Sequence, residues 1–114
     1  MALWKTPVIV VSRSLQSLPT SSPATVSLTA EDPALLVERL SALGVKRIYV
    51  DGGLTIQSFM AKNLIDEITV TTVPVILGSG KALFGELKQD IHLKLIESKS
   101  YSFGFVQSKY HVIF

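Results

Sequence analysis

The stretch YVDGGLTIQSF, Tyr49 to Phe59, limits the folds open to this chain more than any other. A strand-type ending, Tyr49–Val50, leads through Asp51 into the pair Gly52–Gly53, and apolar residues then recur at Ile56, Phe59 and Met60 with helical spacing. A strand delivered through glycines to a helix is a βα unit, which points the front of the chain to the α/β class. The glycine pair has two physical readings. It can be a tight strand-to-helix turn and nothing more. It can also let an anion approach the backbone, since first-turn amides lack intrahelical partners and the helix dipole adds positive character there. On the second reading Gly52, Gly53, Leu54 and Thr55 supply amides and the Thr55 hydroxyl a further donor. Asp51 either touches a ribose or ends the strand.

The flanking segments supply the rest of the pattern. PVIVVS (Pro7–Ser12) and TVSLT (Thr25–Thr29) read as short strands, separated by a polar loop at Arg13–Ala24 that carries two prolines. A helix is expected after Asp32, capped either by Thr29 with Asp32 or by Asp32 followed by Pro33. Leu36, Val37, Leu40 and Leu43 share one face, and Gly44 ends it. VKRIYV (Val45–Val50) reads as the next strand and Leu54–Asn63 as a second helix. Asp66–Leu77 reads as a strand, bent or bulged near Pro74. Gly78–Lys88 is a loop, with Gly78 and Gly80 shaping its start, and two strands, expected to be antiparallel, close the chain. Parallel pairing is expected in front and antiparallel pairing behind.

Composition removes several function classes. The 114 residues suit one domain, 47% are hydrophobic, and the net charge of +2 is spread along the chain with no basic stripe, so nucleic-acid binding is not expected. There is no cysteine, which excludes disulfides and thiolate chemistry. No apolar run approaches the ~20 residues of a spanning helix, so no membrane association is expected and the chain reads as soluble and cytoplasmic. His92 and His111 lack metal-ligand spacing and are expected to be structural or exposed, with no metal site. Asp66 and Glu67 are adjacent and unsuited to act as a catalytic pair.

VVSRS places Ser12, Arg13 and Ser14 at the C-terminal end of the first strand, where open α/β sheets bind ligands. An arginine between two hydroxyls can hold a phosphate by charge-assisted bonds, or be an ordinary exposed loop arginine. GSGKAL at Gly78 lacks the third glycine of a dinucleotide fingerprint.

VVSRSL, LGVKRIYVDGGLTIQSFMAKNLIDEITVTTVPVILGSGKALF and SYSFGFVQSKY closely resemble the dihydrofolate-reductase-like family. Within it they resemble the bacterial bifunctional deaminase-reductase C-terminal domain, the reductase half of riboflavin biosynthesis, and its stand-alone relatives. The resemblance implies a mixed sheet with flanking helices and NADPH-dependent reduction of a pterin- or pyrimidine-like small molecule. It places Ser12, Arg13 and Ser14 at the adenosine ribose and its 2′-phosphate, and Gly52, Gly53, Leu54 and Thr55 at the pyrophosphate. The strand, helix and strand that usually precede the stretch matching PVIVVSRS are expected to be missing or to lie on another chain. The expectation is therefore a single, N-terminally shortened reductase-like domain over residues 1–114. No catalytic residue is assigned, because hydride transfer belongs to the nicotinamide. A shortened sheet would leave edges and apolar faces open, so a homo-oligomer is expected. The alternative function is a non-catalytic nucleotide-binding or structural remnant that assembles with other copies.

Overall fold

The structure, a computed structural model, describes residues 7–22 and 24–114. Seven elements follow in order: β1 (Val8–Val11), β2 (Val26–Thr29), α1 (Pro33–Ala42), α2 (Gly53–Ala61), β3 (Glu67–Thr72), β4 (His92–Ser100) and β5 (Val106–Ile113). They fall into two compact units, one running through Lys46 and the other from Arg47 to Phe114.

In the first unit β1 and β2 pair in parallel from Val8↔Val26 to Val11↔Thr29. The Ser12 amide carries the ladder one step further by donating to the Thr29 carbonyl at 2.9 Å. The expected polar loop joins the strands, with a turn in which the Ser22 amide donates to Pro19. Of the two caps open to α1, the structure uses Asp32, whose carboxylate accepts from the Ala34 amide at 3.0 Å, with Pro33 in the first turn. Thr29 instead donates to Glu31 at 2.7 Å. Leu36 is buried, Val37 and Leu40 are half-buried, and Gly44 at φ +89 ends the helix as expected. Leu43 does not share the buried face. As the C-cap it has left the helical path and is 71% exposed.

The Arg39 guanidinium lies against Glu31 at 2.6–3.0 Å, and its hydrogen bonds, with that from Thr29, hold the Glu31 carboxyl below its ordinary value of 4.5. A carboxyl whose pKa is depressed by folding stabilises the fold above its unfolded pKa and loses that contribution as pH falls through the depressed one. Glu31→Gln should therefore melt below the parent at neutral pH, with the gap closing under acid. Thermal melts across pH check this, and a gap independent of pH would refute it.

In the second unit α2 begins at Gly53 and ends after Ala61, one residue earlier at its start and two shorter at its end than the spacing predicts. Asn63 at φ +56 explains the end, since a residue in the left-handed region cannot continue the helix. Phe59 and Met60 are buried, and Leu36 is buried in the other unit.

β3, β5 and β4 form an antiparallel sheet with β5 in the centre. Their registers place Ile68 and Leu95 on either side of Tyr110, with Ile68 and Tyr110 half-buried and Leu95 exposed. Glu67, Lys109 and His111 lie on the other face, where Glu67 sits 3.6 Å from Lys109 and 3.9 Å from His111. A turn joins β4 to β5, in which the Tyr101 amide donates to the Phe105 carbonyl and the Gly104 amide to the Tyr101 carbonyl, while Phe103 stacks on Tyr101 and meets Phe105 edge-on.

Two strand expectations need correction. β3 stops at Thr72, and the segment around Pro74 is outside the sheet. Proline has no amide for the ladder, and Val75 donates back to Val73 at 2.8 Å, which closes a tight turn. The bulge lies in β4 instead, at Ile96 between Leu95 and Glu97. Val45–Val50 forms no strand among the described residues. Its apolar spacing suits a strand, but a strand exists by pairing. The Val45 amide is taken by the Leu40 carbonyl, and Tyr49 is 85% exposed. No helix among the described residues is long and apolar enough to cross a membrane.

Candidate cofactor-binding site

In the second unit, Asp51, Gly52 and Thr55 come together at the start of α2. Gly52 is the N-cap, at φ +91 and ψ +128, a conformation that side chains disfavour. Its carbonyl accepts the first helical bond, from Ile56 at 2.8 Å. Its amide is engaged by the Asp51 carboxylate at 2.8 Å, so the amides left without an acceptor among the described residues are those of Gly53, Leu54 and Thr55. No acidic side chain lies in the first turn of the helix. An anion placed there would meet unpaired N–H groups and the positive end of the helix dipole. Asp51 thus ties down the turn ahead of the helix.

In the first unit, Ser12 and Ser14 come together directly after β1. Their hydroxyl oxygens are 3.4 Å apart, and the Ser12 hydroxyl accepts the Leu15 amide at 3.1 Å. The serines therefore hold the turn on which Arg13 is displayed. Arg13 is exposed, and its guanidinium has no partner among the described residues.

Gln57 in α2 and its neighbours Ala82, Leu83 and Gly85 were not singled out from sequence. The Gln57 carboxamide donates to the Leu83 carbonyl at 3.1 Å and more weakly to Ala82 at 3.5 Å. Gly85, at φ +62, packs so closely on Gln57 that a Cβ would lie 2.8 Å from its side-chain oxygen. The four-residue spacing from Gly53 to Gln57 is the sequence signal that puts both on one face of α2. A groove of about 530 Å³ in this unit, lined by Met60, Ile68, Phe84, Gly85, Leu87 and Leu93 among others, borders the Ala82–Gly85 segment and contains none of the predicted site residues. His92 and His111 are exposed, as expected, and no group of metal-ligating side chains is assembled among the described residues.

Comparison with known proteins settles the ancestry. The profile of the RibD C-terminal domain matches residues 4–107. The chain belongs to that family. A protein of Shewanella sp. PV-4, whose name assigns it provisionally to riboflavin biosynthesis, superposes with a TM-score of 0.89 at 34% identity, over 96% of this chain and 62% of that one. A pyrimidine reductase-like protein of Corynebacterium diphtheriae gives a TM-score of 0.66 at 26% identity, over 77% of this chain and 38% of that one. Among curated proteins, the uncharacterized protein YyaP of Bacillus subtilis is 40% identical over 66% of this chain. The 2,5-diamino-6-ribosylamino-4(3H)-pyrimidinone 5′-phosphate reductase of Methanothermobacter thermautotrophicus is 33% identical over 64%. The chain spans 40% and 37% of the lengths of these two relatives. The fold is the α/β arrangement of this RibD, dihydrofolate-reductase-like group, with antiparallel C-terminal strands. Parallel and antiparallel pairing are both present, in two sheets among the described residues.

Proposed function

We propose that this chain carries the dinucleotide-binding part of an NADPH-dependent pyrimidine reductase of the riboflavin-pathway type, acting in the cytoplasm. The observation behind this reading is the start of α2: three unbonded amides behind a glycine cap, with no acid in the first turn, in a chain of the RibD C-terminal domain family. The amides of Gly53, Leu54 and Thr55, with the Thr55 hydroxyl, would hold a diphosphate. Arg13, with Ser12 and Ser14, would hold the 2′-phosphate and adenosine ribose of NADPH through charge-assisted bonds. The nicotinamide, when bound, supplies the hydride. Named for its reaction, the Methanothermobacter relative suggests a ribosylaminopyrimidine phosphate as the substrate class.

Titration of the purified chain with NADPH, followed by an oxidation assay with pyrimidine and pterin substrates, tests this. Saturable binding with turnover supports it. Binding without turnover favours a non-catalytic nucleotide-binding chain, and no binding removes the reading.

A specific observation favours assembly with further copies under either reading. Val75, Ile76 and Leu77 are 64%, 99% and 71% exposed, and every position of the edge strand β4 is exposed. Apolar runs and open edges of this kind are covered by association in folded proteins. Sedimentation should show a dimer or larger species at micromolar concentration, and a stable folded monomer would contradict that expectation.

A further inference from the structure

We propose that Gln57 is a positioning residue, which clamps the Ala82–Gly85 segment against the first turn of α2 and so fixes where the amides of Gly53, Leu54 and Thr55 sit. The inference rests on reading that turn as a dinucleotide-phosphate site. The same two carbonyls lie on both ends of the turn. Leu83 and Ala82 accept from the Gln57 carboxamide, and a Cβ built on Gly53 would stand 3.6 Å and 3.9 Å from those same oxygens. Gln57 follows Gly53 by one helical turn, so the backbone of one and the side chain of the other face the segment together.

Both flanking glycines serve this contact. At Gly53 the missing side chain leaves the helix start close to the segment. At Gly85 an added Cβ would lie 2.8 Å from the Gln57 oxygen and 3.1 Å from its nitrogen, so the Gln57 carboxamide would have to move. The bond also has a chemical direction. Carbonyls only accept, so the residue at 57 must donate. Glutamate, which has nearly the same shape, would set a carboxylate against two carbonyl oxygens, and asparagine is one methylene shorter.

The test uses the intact chain in three forms besides the parent: Gln57→Glu, Gly85→Ala, and Gln57→Ala combined with Gly85→Ala. Amide chemical shifts at residues 53–55 and 82–85, and hydrogen exchange of the Ile56 amide that donates to Gly52, are read without ligand. NADPH and NADH are then titrated. In both single variants the shifts should move at both segments and Ile56 should exchange faster. Affinity for NADPH and NADH should fall by the same factor, about three- to tenfold, the usual scale for one lost neutral hydrogen bond. Equal loss is the signature, since the pyrophosphate is common to both cofactors. Gly85→Ala carries a backbone strain at φ +62 that remains when Gln57 is alanine, so only the part of its effect that comes from the collision should vanish in the double variant.

Unchanged shifts and exchange in Gln57→Glu would overturn the clamp, as would a loss confined to NADPH. So would altered shifts with unchanged affinity for both cofactors. If Gln57→Glu does not fold, Gly85→Ala decides from the other side of the contact. If the parent binds neither dinucleotide, the reading of the site fails, and the ligand-free shifts and exchange alone decide whether the clamp exists.

Discussion

Gly52→Val should lower dinucleotide affinity by roughly 10- to 100-fold and destabilise the second unit. The obstacle is conformation, not space. Only the Thr55 hydroxyl oxygen lies within 4 Å of a Cβ at this position, at 3.9 Å. At φ +91 and ψ +128, however, the backbone is in a region that a β-branched residue does not tolerate. Holding a side chain in such a region costs about 1–3 kcal/mol, which corresponds to the stated range of affinity if the turn relaxes and takes the α2 amides with it. Gly53→Ala is the control. Gly53 is the first helical residue and has no positive φ, and its added Cβ would meet the Leu83 carbonyl at an ordinary 3.6 Å. Titration of both variants separates turn from site. If Gly52→Val binds NADPH as the parent does, the glycine pair is a turn and nothing else.

The contrast between those two glycines marks what sequence could and could not show. GG after a strand-type run announced the turn and the helix, because no other residue pair serves that purpose so well. Which glycine carries the positive φ depends on where the first helical bond closes, and Ile56 closes it on Gly52. Asp32–Pro33 was legible as a cap because the chemistry is local. The antiparallel closing strands were legible because alternation and a short turn suffice to pair neighbours in the chain. VKRIYV was misread because pairing is not local: the same six residues are a strand or a loop according to what bonds to them. Gln57 was invisible for a similar reason. Its partners, Ala82 and Leu83, lie 25 and 26 residues away and offer only backbone carbonyls, which carry no sequence signature.

Arg13→Ala should weaken NADPH by about ten- to a hundredfold while leaving NADH nearly unchanged. Arg13 is exposed and has no ion-pair partner among the described residues, and Ser12 and Ser14 organise the turn beside it. Removing it therefore breaks no hydrogen bond or ion pair of its side chain among the described residues, and a loss of affinity would come from the ligand side. The contact with a 2′-phosphate exists for NADPH and is absent for NADH. A hydrogen bond to a charged group contributes about 1.5–3 kcal/mol, which sets the size of the effect. Salt gives a second handle. An exposed guanidinium–phosphate pair is screened over about 10 Å at 0.1 M ionic strength, so the parent's preference for NADPH should shrink as salt rises while the variant's ratio stays flat. Parallel titrations of both cofactors at two ionic strengths decide the matter. Equal weakening of NADPH and NADH would place Arg13 in support of the turn, and an unchanged NADPH affinity would remove it from the site.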